Sequence, residues 1–137
     1  MPTSALDVYQ SAQRVAISGR ELEATLLFKA ARQLEAVVRT WDAPDRKARL
    51  RAALEYNTRL WSVFHASMED PDQQLPKEVR LNLLQLVRFI DRRTLEILTS
   101  PTAAKVQPLI DIDRNIAMGL SAAEGAPTTD QVGGAAA

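Results

Sequence analysis

Residues 45–68 read DRKARLRAALEYNTRLWSVFHASM. The segment contains neither Gly nor Pro, with Pro44 just before it and Pro71 just after. Leu50, Ala53, Leu60, Trp61, Phe64 and Met68 recur at helical spacing, and no period-two alternation competes with that pattern. The spacing predicts one amphipathic helix from about Asp45 to Met68, with its aromatic mass on the second half of the apolar stripe.

Working outward, the same pattern repeats on both sides. Toward the N-terminus, Leu22, Leu26, Ala30, Leu34, Val37 and Trp41 define a helix that ends at Asp42-Ala43-Pro44-Asp45. Ser18 and Glu21 have capping-box spacing at its start. A shorter helix is expected from Ser4 to Val15, with Ala5, Val8, Tyr9 and Ala12 on one side and Ser18-Gly19 as its break. Toward the C-terminus, the polar turn Asp70-Pro71-Asp72-Gln73-Gln74 leads to Pro76. Proline suits the first turn of a helix because its missing N–H would have no partner there. Val79, Leu83, Leu86, Val87, Ile90 and Ile97 form the stripe of that helix, and Ser100-Pro101 ends it. Pro108 is expected to open a last helix to Leu120, with Leu109, Ile112, Ile116 and Leu120 on one side. Residues 122–137 are mostly Ala, Gly, Thr and Pro with little bulk, so a disordered tail is expected there. The reading is all-α: a small helical bundle of about four to five helices in one domain, residues 1–121, with a tail over 122–137. Short connections favour antiparallel neighbours.

Composition agrees with a single globular unit. The 137 residues are 46% hydrophobic and 25% charged, enough for a core and a solvated surface. Seventeen Lys and Arg balance seventeen Asp and Glu, so no net field draws the chain to nucleic acid or anionic lipid. With no cysteine, disulfides, thiol catalysis and cysteine-ligated metals are excluded. No leader pattern and no apolar run of spanning length is visible, so the expected compartment is the cytoplasm, without a membrane partner.

Advancing 100° per residue along each expected helix puts one polar residue inside an otherwise apolar stripe three times. Asn57 lies among Ala53, Leu60, Trp61 and Phe64. Arg93 lies among Leu86, Ile90 and Ile97. Asp113 lies among Leu109, Ile116 and Leu120. A buried charge needs a partner, so a shared network of Asn57, Arg93 and Asp113 is expected, more a structural device than a ligand handle. The alternative places each at the rim of the core, reaching water.

Chemistry-bearing patterns are sparse. His65 is the sole histidine, with Glu69 one turn on, and it reads as a surface or rim residue rather than a metal ligand. Asp111 and Asp113 are two apart and point to different sides of a helix, so they do not form a catalytic carboxylate pair; Asp111 is expected to pair with Arg114. There is no phosphate loop, dinucleotide fingerprint or zinc spacing. No catalytic residue, metal, cofactor or small-molecule substrate is expected, and the protein reads as a non-enzyme. The run Arg46-Lys47-Ala48-Arg49-Leu50-Arg51 is the strongest basic cluster, better explained as a solvated face than as an RNA contact. Tyr56, Leu60, Trp61 and Phe64 are chiefly core, although such residues also anchor interfaces.

Several short segments, in order, resemble the FlaF family of flagellar biosynthesis regulators. They are Tyr9-Gln10, Arg20-Glu21-Leu22-Glu23, Leu27-Phe28, Asn57-Thr58-Arg59-Leu60-Trp61, Pro71 to Pro76, Phe89-Ile90-Asp91-Arg92-Arg93-Thr94, and Pro108 to Ile116 with Gly119-Leu120. The resemblance spans roughly residues 9–120. Two positions depart from it: Gln73 stands where the family often has Asn, and Asp113 where Asn is usual, which adds a charge at the expected network. The resemblance implies a cytoplasmic factor in flagellum assembly that acts on flagellin synthesis and secretion alongside FlbT, through direct chaperone-like contact with flagellin. An amphipathic flagellin segment would then lie in a groove formed by Asn57, Arg59, Leu60, Trp61, Phe64, Leu109, Ile112 and Ile116. For any one of these, holding the bundle together is the simpler role. The alternative implied function is an RNA-associated regulator of flagellin translation, acting directly or with FlbT, for which the basic run is the only support in the sequence.

Overall fold

The computed structural model describes residues 19–70 and 76–125, and all of its regular structure is helical. Four helices run in order: α1 Gly19–Arg39, α2 Arg46–Met68, α3 Lys77–Thr99 and α4 Ala103–Gly125. The expected helix over Ser4–Val15 and the Ser18 half of the capping box lie outside the described residues. So does most of the expected tail. α4 runs to Gly125, across the boundary placed at 121.

The closest and most extensive helix pair is α1 with α4. On α1 the buried residues Ala24, Leu27, Ala31 and Leu34 follow alternating steps of three and four. On α4, Val106, Ile110, Asp113 and Ala117 do the same. These spacings are those of helices that pack along their length with side chains interlocked. Ala24, Ala30, Ala31 and Ala117 keep the seam thin, so the two backbones approach closely. Leu27, Leu34, Val106 and Leu109 are fully enclosed, and burial of each large side chain is worth roughly 1.5–3 kcal/mol before ordering costs.

Two of the expected stripes are turned from the observed core. On α1 the face rotates toward Ala24 and Leu27, leaving Leu22 46% exposed and Leu26 and Trp41 half-buried. On α4, Leu109 is buried, but Ile112, Ile116 and Leu120 sit half-open at the edge of the core. Counting large residues favoured these positions. The actual seam is marked by the alanines, which carry little weight in such a count.

α2 follows α1 in the antiparallel sense. The Arg49 guanidinium donates to the Ala36 carbonyl at 3.2 Å and to Thr40 Oγ1 at 2.7 Å, and further along Lys29 lies over the Tyr56 ring at 5.2 Å. Arg49 thereby supplies a donor and a positive charge to the carbonyl end of α1, where both are favourable. Arg46 stacks on Trp41 at 4.4 Å and packs the same turn.

Pro76 is the residue just before α3, and its carbonyl accepts from Arg80 N at 3.0 Å. α4 begins five residues before the expected start. Thr102 Oγ1 accepts from the Lys105 backbone N–H at 3.2 Å, a side-chain cap that Ser100-Pro101 positions. Pro108 therefore sits inside the helix rather than opening it. Its missing N–H leaves the Ala104 carbonyl without a helical partner, but Ala104 is exposed and water can serve that group. Thr102→Ala should lower stability by about 1 kcal/mol, read as a shift of the denaturant midpoint with unchanged slope.

Candidate functional site

Three residues of two non-adjacent helices meet in the core. α2 and α4 do not pack backbone to backbone, yet Asp113 of α4 is joined to both Asn57 and Trp61 of α2. Trp61 Nε1 donates to Asp113 Oδ1 at 2.9 Å. With the Asn57 amide nitrogen turned to the carboxylate, it donates to Oδ2 at 2.6 Å and to Oδ1 at 3.3 Å. Asn57 and Trp61 are four apart, so both project from one side of α2. Asn57 and Asp113 are 0% exposed and Trp61 only 2%. The edge of the Trp61 ring system meets Phe64 with centroids 5.5 Å apart and planes at 83°, a favourable aromatic arrangement.

No cation joins this group among the described residues. The structure places Arg93 elsewhere: its Nε donates to Glu96 Oε1 at 3.0 Å and its Nη1 to the Lys105 carbonyl at 3.1 Å, and its guanidinium lies 5.2 Å from the Phe89 ring centre. Lys105 precedes Asp113 by eight residues, about 12 Å along α4. Arg93 thus holds the start of α4 at the rim of the core, where its charge keeps partial access to water. The network expected of Asn57, Arg93 and Asp113 is realised between Asn57 and Asp113 alone, with Trp61 as the additional member.

The electrostatic consequence is a carboxyl that resists ionisation. Burial raises the Asp113 pKa from 3.8 to about 7, against a smaller lowering by the Trp61 hydrogen bond. The 2.6 Å contact serves either protonation state. Ionised, the carboxylate accepts from Asn57 Nδ2. Neutral, its O–H donates to Asn57 Oδ1 once the amide has turned over. In both states Trp61 keeps its acceptor.

The other candidate positions are dispersed. Leu60 and Leu109 are buried with Asn57 and Trp61. Arg59 is exposed, and Phe64, Ile112 and Ile116 are half-buried. Those four are the members of the candidate groove that a partner can touch without opening the core. His65 lies 3.6 Å from Glu69 on the surface. Asp111 accepts from Gln107 at 3.0 Å, while the Arg114 expected beside it bonds Glu35 of α1 instead. Within the basic run, Arg46 and Arg49 are engaged with Trp41, Thr40 and Ala36, and Lys47 and Arg51 stand exposed. Among the described residues there is no cluster of His, Cys, Asp or Glu able to hold a metal, and no helix long and apolar enough to cross a membrane.

Sequence reasoning passed over one feature of α3. Its first ten residues, 77–86, include Val79, Leu81, Leu83, Leu84 and Leu86, none of them buried. Leu95 and Leu98, further along, are 66% and 49% exposed. The signal was present in the sequence: α3 carries more apolar residues than one core-facing stripe requires.

Among known proteins, the chain matches a family model described as flagellar protein FlaF, over residues 5–120. No curated protein and no solved structure matches the chain.

Proposed function

We propose, because the chain belongs to the FlaF family of flagellar proteins, that it binds flagellin directly and shelters an amphipathic segment of it before assembly. The family match, which covers nearly all of the helical bundle, carries this reading. The partly open apolar residues on α2 and α4 give it a physical basis. Unassembled flagellin would present apolar helical segments that tend to associate, and Phe64, Ile112 and Ile116 offer such a segment a place to rest. The Trp61–Asp113 hydrogen bond ties α2 to α4 in the core, and Arg59 stands exposed on α2. A contact of a few anchors is reversible, as delivery to an export apparatus requires. The protein acts in the cytoplasm in this reading, without catalysis, cofactor or metal, and any effect on flagellin synthesis follows from holding the free protein, with an FlbT-like regulator as a second partner.

The test is direct. Purified protein and flagellin are mixed and resolved by size-exclusion chromatography. Co-elution is expected in the micromolar range, and Phe64→Asp should weaken it by at least about tenfold while leaving the helical content intact. Separate elution at high micromolar concentration would remove flagellin binding as the function. Retention by flagellin mRNA leader, lost on replacing Arg46, Lys47, Arg49 and Arg51 by Gln and steeply salt-dependent, would favour the translational route instead.

A further inference from the structure

The outer face of α3 carries Leu81, Leu84, Arg88, Asp91, Leu95 and Leu98. Steps of three, four, three, four and three separate them. That is the alternation of a two-helix seam, and it runs beside the face by which α3 meets the core, Val87, Ile90, Thr94 and Ile97, with Leu84 packed at the core's edge. Leu81, Leu95 and Leu98 are roughly half or more exposed, Leu84 is half-buried, and Arg88 and Asp91 are exposed. Neither Arg88 nor Asp91 forms an ion pair among the described residues. A strict seven-residue repeat drifts about 20° per repeat around a straight helix, so two such helices wrap around one another with a left-handed twist.

The order of residues along this seam is a palindrome. Read from either end it runs leucine, leucine, charge, charge, leucine, leucine, with the same spacings. The two charges at its centre have opposite sign. A helix of this kind placed antiparallel on a second copy of itself sets Leu81 against Leu98, Leu84 against Leu95, and Arg88 against Asp91, each pair occurring twice. This is the self-complementarity that a two-fold contact demands. A parallel arrangement would instead set Arg88 on Arg88 and Asp91 on Asp91. We propose that α3 is a homodimerisation helix, with a second copy of this chain seated antiparallel on the Leu81–Leu98 face.

α3 is placed for such a role. It packs on α2 and α4 far less extensively than α1 does on α4, and none of its first ten residues, 77–86, is buried. The leucines at the two ends supply the apolar contact. The central Arg88–Asp91 pairs fix register and direction, since a shift by one heptad would leave charges facing leucines.

The experiment uses the full chain in sedimentation velocity across a concentration series. A concentration-dependent monomer–dimer equilibrium is expected. Leu95→Glu should raise the dimer dissociation constant at least about tenfold, and Leu22→Glu, also at an exposed apolar position but off this face, should leave it unchanged. Circular dichroism of each variant confirms that the bundle is intact. Arg88→Glu should weaken the dimer by about tenfold, and Arg88→Glu combined with Asp91→Arg should restore it, because the exchanged charges still meet their opposites. A chain that stays monomeric at hundreds of micromolar, a dimer indifferent to Leu95→Glu, or a charge exchange that fails to rescue would each overturn the proposal. So would protection of the Leu81–Leu98 face by residues 1–18 within a monomer. None of these results bears on whether flagellin binds.

Discussion

Replacing Asp113 by Asn is expected to stabilise the bundle by about 2–4 kcal/mol at pH 8 and to change little at pH 4. The sign follows from proton binding. In the unfolded chain the carboxyl titrates near 3.8, and in the folded core near 7. Between those values the native state holds a proton that the unfolded state has lost, so stability falls as pH rises through the window. Well below pH 3.8 both states are protonated and the penalty vanishes. Above about pH 7 both are ionised and the full penalty remains, on the order of 4 kcal/mol for a shift of this size. Asparagine has the same shape and no charge to bury. Its oxygen accepts from Trp61 Nε1, and its amide donates to Asn57 Oδ1 after the Asn57 amide turns over. The measurement is chemical denaturation of both proteins at intervals from pH 4 to pH 9. The difference between the curves isolates Asp113 from Glu23, whose pKa is also raised by burial. A difference independent of pH would show that Asp113 ionises freely in the native state.

Trp61→Ala is expected to be the most damaging single substitution on α2. It removes one of the largest fully buried side chains, a change that usually costs about 3–5 kcal/mol. It also takes the indole donor from Asp113 and the ring contact from Phe64. Against a total stability of roughly 5–15 kcal/mol, that loss removes a large share, and at the lower end of the range it leaves a substantial fraction unfolded. Trp61→Phe separates the two roles. It retains much of the volume but not the N–H, so the pKa of Asp113 should rise further, because the Trp61 bond is what lowers it. The carboxyl resonance of Asp113, followed by NMR against pH, should move to a higher midpoint. An unchanged midpoint would mean that Trp61 does not act on the carboxyl.

The buried polar group also bears on how the helices are held. α2 and α4 are diagonal partners without backbone contact, and their separation is bridged by side chains. Buried hydrogen bonds of this kind permit few alternative registers, since a slip of one turn would leave Asp113, Asn57 and Trp61 without partners at once. Asp113 differs from Asn chiefly in making this restraint sensitive to pH.

Elements differed in how openly the sequence displayed them. α2 was legible almost to the residue because Leu50, Ala53, Leu60, Trp61 and Met68 are large or repeated at strict spacing, and all five are buried. The start of α4 was not. Proline at position 108 looked like a helix opening, whereas Thr102 provides a cap that a local pattern search undervalues. The stripes of α1 and α4 were misaligned for a related reason. Leu22 and Ile112 drew the expected face toward themselves, while the true seam runs through alanines, whose importance lies in how close a neighbouring backbone can come.

The chain's own order of residues determined that it would be helical, roughly where each helix breaks, that Asn57 and Asp113 would face inward, and the family to which it belongs. These depend on spacing along one helix or on the segments themselves, and spacing is a local property. Only the tertiary structure decided which helices touch, and therefore that Asp113 meets Trp61 and Asn57 while Arg93 turns to Glu96 and the Lys105 carbonyl. A pairing between helices depends on their relative height and rotation, which a periodic pattern leaves free, and a displacement of eight residues along α4 is enough to separate a charge from the partner that its position in the stripe suggests.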